Sequence, residues 1–558
     1  MPVTAFRVKN FMAFGDSKWI ELRKINLLYG RNSSGKSVLI RALRLLMQSL
    51  TAAENGDPIT FVNEGGVDVG SFKAALHNPS QGKPKFHKGF ANQADWWKPI
   101  SFGFMCEISL REIRDRKDLE WVALNERVKS SADGAISFEV NLSFSLNKDA
   151  VVVVGFDLWQ HETTRWMGEK RRLLTLQLDP DLEPSLSGYS STHFSSKSSD
   201  AVGAYFAFPC QDGFLPKLEL DKNSLSDINE TEHKQVNEVI QVWSFCKEEI
   251  AAFLKSIIYM GPIRPLPERY YLIDERMRQL LRKQSGQAFL KYLDSSESVS
   301  LREKIEKWMI AFGLARSIRH KPDTSKETPD RQVVLRELVI SESDNSKESQ
   351  AGSFEINIKD MGFGASQILP VIVTCLTADD EAFIIIEQPE LHLHPEAQAS
   401  AADLFIECVS ELTAEEKNRE VKEEKGREER NNERDKERVR RRCLIETHSE
   451  HILLRLQLRI AGGKPRYFDS DDANSEGRPE RLLEEFNLAG RDFGLAFVTR
   501  DRKSSVSTIE YIDADPYGRL VGGMTEFGSF FERAFLDSSM FSIVSESKAT
   551  TAGMEDVK

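Results

Sequence analysis

One octapeptide constrains this chain more than any other segment. Gly30-Arg31-Asn32-Ser33-Ser34-Gly35-Lys36-Ser37 has the spacing GxxxxGK[ST]. It follows the apolar run Ile25-Asn26-Leu27-Leu28-Tyr29. Beyond it Val38, Leu39, Ala42, Leu43, Leu45 and Leu46 recur at helical spacing. Strand, Gly-rich loop and helix, in that order, are the context in which the pattern has physical meaning. Such a loop turns its backbone N–H groups toward phosphate oxygens, and the helix behind it adds the positive end of its dipole. Lys36 can then reach the β/γ-phosphates, and the Ser37 hydroxyl can ligate Mg²⁺. Gly30 through Val38 is therefore the candidate site for ATP.

A loop of this kind needs an acidic residue at the end of a second buried strand. Phe383-Ile384-Ile385-Ile386-Glu387 reads as a fully apolar strand of the parallel-sheet type ending in a carboxylate. Glu387 is the expected metal-holding acid, beside Ser37. Two further segments fit the same site. Gly364-Ala365-Ser366-Gln367 opens an apolar helix at about Ile368, which makes a second anion-binding helix terminus. Leu444-Ile445-Glu446-Thr447-His448-Ser449 reads as a strand that ends at a histidine.

The rest of the chain bounds the class. Its 558 residues suggest about three or four domain-sized units. With 75 basic and 87 acidic residues, the net charge is −12. That argues against a binder of nucleic acid over its whole surface and leaves room for a local basic groove. No stretch approaches the ~18 apolar residues of a membrane span. Met1-Pro2-Val3-Thr4 does not open a secretory signal. The six cysteines never fall at CxxC spacing, so a zinc finger is excluded and a reducing cytoplasm is the expected location.

The order of phosphate loop, Gly364–Gln367 segment, acidic strand and Thr-His-Ser resembles that of ABC-class ATPases. Glu387-Gln388-Pro389-Glu390-Leu391-His392-Leu393-His394-Pro395 resembles the acidic-strand and D-loop segment of the overcoming-lysogenization-defect and RecF-like ATPases, relatives of the Rad50 and SMC heads. Within that group, Val67 to Phe72, Tyr259 to Arg264, Glu446 to His451 and Ile512 to Phe531 resemble the PtuA-like branch of Septu and retron-linked anti-phage systems. The resemblance implies an α/β fold: an ABC-type ATPase head split in sequence, with a P-loop lobe and a helical signature lobe. It also implies that Gly364 to Gln367 meets the γ-phosphate held by another subunit, and that His448 contacts the γ-phosphate or the attacking water. The partners it implies are a second copy or higher homo-oligomer, a PtuB-like HNH nuclease, and a retron reverse transcriptase with its DNA, or other DNA.

The expected organisation is a first half of the head over 1–110, a strand-rich and helical insertion over 111–255 and a helical connector over 256–350. The second half of the head covers 351–535. Within it the mixed-charge run 411–442, with i, i+4 pairs such as Glu423–Arg427, is a solvated helical insertion. Residues 536–558 form a flexible tail.

One departure affects the chemistry. Many ABC ATPases have a second acid directly after the first, and here that position is Gln388. An amide cannot take the proton of the attacking water as a carboxylate does. Slow hydrolysis follows, or Glu390 or His448 substitutes. Gln93 lies where a Q-loop glutamine is sought, without its context. The leading functional reading is an ATP-dependent sensor or regulator of an HNH-type nuclease in anti-phage defence. The alternative is a RecF/Rad50-like DNA-repair clamp, for which Arg276, Arg278, Arg282, Lys283, Arg316, Arg319, His320 and Lys321 supply basic candidates. Asp469-Ser470-Asp471 lies in a loop and does not make a nuclease site.

Overall fold

The computed structural model describes residues 3–51, 58–63, 66–77, 98–116, 119, 135–147, 150–161, 170–177, 206–207, 214–216, 219–220, 230–264, 269, 271–273, 299–314, 317–322, 334–341, 355–360, 362–410, 441–462, 488–501 and 504–522. Along the chain, β1 (Val3–Phe11), β2 (Phe14–Asp16), β3 (Ile20–Glu21) and β4 (Ile25–Gly30) lead to α1 (Lys36–Thr51) and α2 (Phe72–Ala75). Next come β5 (Ile100–Ser109), α3 (Leu110–Asp115), β6 (Ala135–Asn147), β7 (Ala150–His161), β8 (Lys170–Gln177), β9 (Phe206–Ala207) and β10 (Glu219–Leu220). The middle holds α4 (Glu230–Lys255), β11 (Ile257–Met260), β12 (Tyr271–Ile273), α5 (Val299–Ala311), β13 (Ser317–Pro322), β14 (Val334–Ser341) and β15 (Glu355–Asn357). The rest is α6 (Phe363–Thr377), β16 (Phe383–Glu387), α7 (Pro395–Val409), β17 (Arg442–Glu446), α8 (Glu450–Ile460), β18 (Phe493–Arg500), β19 (Ser507–Ala514) and β20 (Leu520–Val521).

The fold is α/β and rests on two large sheets. The first runs β2-β1-β5-β6-β7-β8, with β3 also on β1, and is antiparallel throughout. It crosses the boundary expected at residue 110, since β5 and β6 pair along ten residues. Its apolar face, with Phe102, Phe104, Phe138 and Phe156, is covered by α1 and α4. Trp243 of α4 meets Phe156 edge-on at 4.8 Å.

The second sheet runs β11-β16-β17-β4-β18-β19-β20. Its first five strands are parallel, and β19 and β20 turn back. Strands from residues 25, 257, 383, 442 and 493 onward thus make one sheet, so the head is split in sequence as expected. The apolar run at β16 is buried on both faces, which is what a central parallel strand requires. Helices α5, α6, α7 and α8 pack on one side of this sheet and make a second core with Trp308, Leu369, Phe405 and Leu456.

Two buried arginines make long-range ties, the first between the two sheets and the second within the second core. Arg442, at the start of β17, donates to the carbonyls of Val3 and Leu22 and lies over the rings of Phe253 and Phe383, which touch each other edge-on. Arg459 of α8 forks onto Asp403 of α7 at 2.7 and 3.0 Å, and Arg455 adds a third contact.

Several local readings shift. The charged run ends earlier than 442, because Arg441 bonds to the Cys375 carbonyl and to Asp380, and Arg442 is buried at the start of β17. Arg319, His320 and Lys321 lie on strand β13 and not at a helix end, since β13 pairs with β14 along six residues. The strand foreseen at Val333–Leu335 extends to Ser341. Residues 411–440, the tail 536–558, Gln93, Asp469, Asp471, Arg276, Arg278, Arg282, Lys283 and Arg316 lie outside the described residues.

Candidate functional site

The phosphate loop sits at the C-terminal end of β4. Gly30 has φ +145° and Gly35 φ +111°. A Cβ at Gly30 would lie 2.2 Å from the Val498 carbonyl oxygen, and one at Gly35 would lie 2.8 Å from Ser507 Oγ. Only glycine fits both demands. Ser507 Oγ donates to the Ser34 carbonyl at 2.6 Å and ties β19 to the loop. Arg31, Asn32 and Ser33 are exposed, while Ser34 and Lys36 are buried. The first turn of α1 carries no acidic residue, so nothing on the helix itself opposes an anion.

Lys36 Nζ donates to the carbonyls of Gly30 and Arg31, at 3.0 Å each. Burial pushes its amine below the ordinary lysine value, and Glu446 and Glu390 oppose that shift. The Ser37 hydroxyl donates to Glu446, 2.9 Å from Oε2 and 3.2 Å from Oε1. Glu446 ends β17, the neighbour of β4, and pairs with Leu28.

Glu387 ends β16 and is the register partner of Glu446. It is therefore one strand further from β4, and strands lie ~4.8 Å apart. Glu387 accepts from the Tyr259 hydroxyl at 2.8 Å, and the Arg44 guanidinium lies 3.6 Å over the Tyr259 ring. Glu390 is partly buried. It accepts from Thr447 Oγ1 at 2.8 Å and from the His448 backbone N–H at 2.7 Å. Burial pushes the Glu387, Glu390 and Glu446 carboxyls all upward. Glu387's charge adds to the shift at Glu446, while the Ser37 hydroxyl and Lys36 oppose it.

His448 follows β17 by two residues. Tyr29 donates its hydroxyl to the His448 carbonyl at 2.9 Å, and the two rings lie 6.3 Å apart. Burial, then the charge of Lys36, lowers the imidazole pKa, which favours the neutral ring. Its Nε2 is buried without a hydrogen-bond partner among the described residues. An orphaned ring nitrogen beside a phosphate loop suits a phosphate oxygen or a water.

Gln388 has φ +47°, held by its N–H to the Glu446 carbonyl at 2.7 Å. This turn starts the His-rich segment. A Cβ at Gly364 would lie 2.5 Å from the His392 carbonyl oxygen, so the start of α6 packs closely on that turn. Ser366 donates back to the Phe363 carbonyl, and both ends of the Gln367 amide are used by the Arg264 backbone. Arg264 in turn donates to the Glu387 carbonyl. Among the described residues no hydrogen bond joins Gly364, Ala365, Ser366 or Gln367 to the loop. The structure thus gathers Lys36, Ser37, Glu390 and His448 together, with Glu387 one strand away.

Glu446, Tyr259, Arg44 and Arg264 belong to this arrangement and were not singled out for it by sequence. Glu446 carried a signal, an acid at the end of an apolar strand, which the adjacent histidine masked.

The donor set fits Mg²⁺. Ser37 and the neighbouring carboxylates would supply oxygen ligands, and Mg²⁺ characteristically takes one or two carboxylates together with substrate phosphates. Among the described residues no three His, Cys, Asp or Glu side chains form a metal cluster of their own, which leaves phosphate oxygens to complete the shell.

A parallel sheet with its strands ordered as above, a glycine-bounded phosphate loop after one strand and carboxylates ending the next two define a P-loop nucleotide-binding protein. Residues 1–453 match the AAA ATPase domain family, and the chain belongs to it. No curated protein sequence matches significantly. Among solved structures, an SMC head bound to the C-winged helix domain of ScpA aligns at 10% identity and TM-score 0.37, covering 92% of this chain and 98% of that one. The SMC head domain from Thermotoga maritima aligns at 9% identity and TM-score 0.31, covering 91% and 98%. No helix among the described residues is long and apolar enough to cross a membrane.

Proposed function

We propose that this ATPase is an ABC-class head that pairs head to tail around ATP and regulates an HNH-type nuclease in anti-phage defence, as the PtuA-like resemblance implies. The supporting observation is the contact set around the loop: Lys36 buried at its base, Ser37 on Glu446, and His448, whose Nε2 has no partner among the described residues and whose ring feels the Lys36 charge. In this reading Lys36 and the loop N–H groups bind the phosphates, and His448 orients the γ-phosphate or a water. Bound Mg²⁺ neutralises charge on the β- and γ-phosphates. Glu390 anchors Thr447 and His448 and is not free to accept a proton from water. With Gln388 in the second acid position, the protein holds ATP longer than it hydrolyses it.

Co-expression with an HNH-type protein encoded beside the gene tests the regulatory part. Association that depends on ATP, with nuclease activity released in Lys36→Ala, is the expected result. No association in ATP, and the same phage sensitivity with and without the pair, contradicts it.

A further inference from the structure

We infer that Arg264 is a positioning residue for hydrolysis: its guanidinium fixes the backbone turn that carries residue 388. The inference rests on the reading that this site hydrolyses ATP with residue 388 beside the attacking water. Its own basis is the set of contacts around that turn. Gln388 has φ +47°, a left-handed conformation that a residue with a side chain keeps only when its surroundings impose it. The backbone groups there have fixed partners. The Glu387 carbonyl accepts from Arg264 Nη2 at 3.0 Å. The Gln388 N–H donates to the Glu446 carbonyl at 2.7 Å, and the Gln388 carbonyl accepts from the Leu391 N–H at 3.3 Å. Of these contacts only the one from Arg264 comes from a side chain, so it alone is open to substitution.

Arg264 is itself held in place. The Gln367 amide, near the start of α6, accepts from the Arg264 N–H at 2.9 Å and donates to the Arg264 carbonyl at 3.1 Å. Stability does not account for the arginine. It is 3% exposed, and its Nε and Nη1 are buried without a hydrogen-bond partner among the described residues. Buried donors left unmet are unfavourable, and an apolar side chain would fill the same space without them. An apolar side chain cannot donate to the Glu387 carbonyl. Without that bond the turn is free to relax from its left-handed conformation, and residue 388 loses its fixed direction. Arg264 thus acts through residue 388 and not on the nucleotide. A glutamine so held orients the water, and a glutamate so held also takes its proton.

Single-turnover phosphate release and ATP calorimetry on the full chain test this, with wild type, Arg264→Met, Gln388→Glu and the double variant. Arg264→Met should unfold at a similar temperature and bind ATP within about threefold of wild type. It should remove at least about tenfold from the Gln388→Glu rate and less from the wild-type rate, because residues that act through one another are not additive. Gln367→Leu, which frees the Arg264 backbone, should act in the same direction, so misfolding of Arg264→Met does not protect the inference. A folded Arg264→Met protein that loses no rate in the Gln388→Glu background overturns it. So does a loss that is equal within about twofold in the two backgrounds, which marks a merely structural role. A loss of ATP affinity as large as the loss of rate also overturns it, since Arg264 would then hold nucleotide. No gain from Gln388→Glu, or ATP that is bound and never hydrolysed, overturns it with the nucleotide site intact. No ATP binding by wild type overturns both.

Discussion

The hydroxyl of Ser37, in the first turn of α1, lies 2.9 Å from Glu446 at the end of β17. The contact spans 409 residues of sequence and fixes how the loop is charged. The serine proposed to hold a metal is already engaged by a carboxylate on the adjacent strand. The acid at the end of β16 is engaged elsewhere, by Tyr259. The two carboxylates therefore have separable duties.

Gln388→Glu should speed ATP hydrolysis, because a carboxylate at that turn can accept the proton of the attacking water. General-base assistance contributes ~10²–10⁴-fold where it operates. Gln388 already adopts φ +47°, and Glu has no greater difficulty there, so the fold should persist. Steady-state phosphate release is the measurement. A brisk wild-type rate with no gain in the variant would assign the base to another group.

The apolar strands, the loop, the acidic strand and the Thr-His-Ser turn were legible in the sequence because each has a local signal. An apolar run followed by Gly or Glu reads as a buried parallel strand, and β4 and β16 are such runs. Strand order is not local. Nothing in the sequence near Glu446 states that β17 lies between β16 and β4, and that alone decides which acid meets Ser37. The role of Glu390 was also hidden. Its distance from Gln388 made it a candidate base, while its bonds to Thr447 and His448 depend on a turn 57 residues away. Arg264 and Gln367 are joined across 103 residues and could be paired only by the fold.

ATP should pair two heads, with Lys36 of one protomer and the start of α6 of the other on the same nucleotide. Phe363 is 46% exposed at that helix start and packs edge-on against His392. Phe363→Asp should block the ATP-dependent doubling of mass seen by light scattering while leaving ATP affinity within about threefold. Doubling that persists in Phe363→Asp would place the interface elsewhere.

Glu139 on β6 accepts from His161 at 2.8 Å and from Asn141 at 2.8 Å, with Lys170 at 3.3 Å. Burial acts to raise its carboxyl, but the His161 and Asn141 hydrogen bonds and the lysine charge outweigh it and hold the pKa at about 2, below the ordinary 4.5. A depressed carboxyl stabilises the fold above its unfolded value, and that contribution is lost as pH falls from about 4.5 toward 2. Glu139→Gln should lower the unfolding midpoint at pH 7 and flatten the loss of stability between pH 5 and 2. An unchanged acid profile would show that the carboxylate is not held this way.

Asp403, wholly buried between α7 and α8, is bonded by Arg459, which is 1% exposed. Removing one partner of such a pair leaves a buried charge uncompensated and costs ~3–5 kcal/mol. Asp403→Ala should lower stability by that order in urea unfolding. A loss within about 0.5 kcal/mol, the range of ordinary surface substitutions, would contradict the structural role given to the pair.

Calorimetric titration of ATP and Mg²⁺ into wild type and Lys36→Ala tests the central claim most directly. Wild type should bind one nucleotide per chain, and Lys36→Ala, unfolding at a similar temperature, should lose at least about tenfold in affinity. Unchanged affinity in a folded Lys36→Ala protein would show that Gly30–Ser37 is not the nucleotide site.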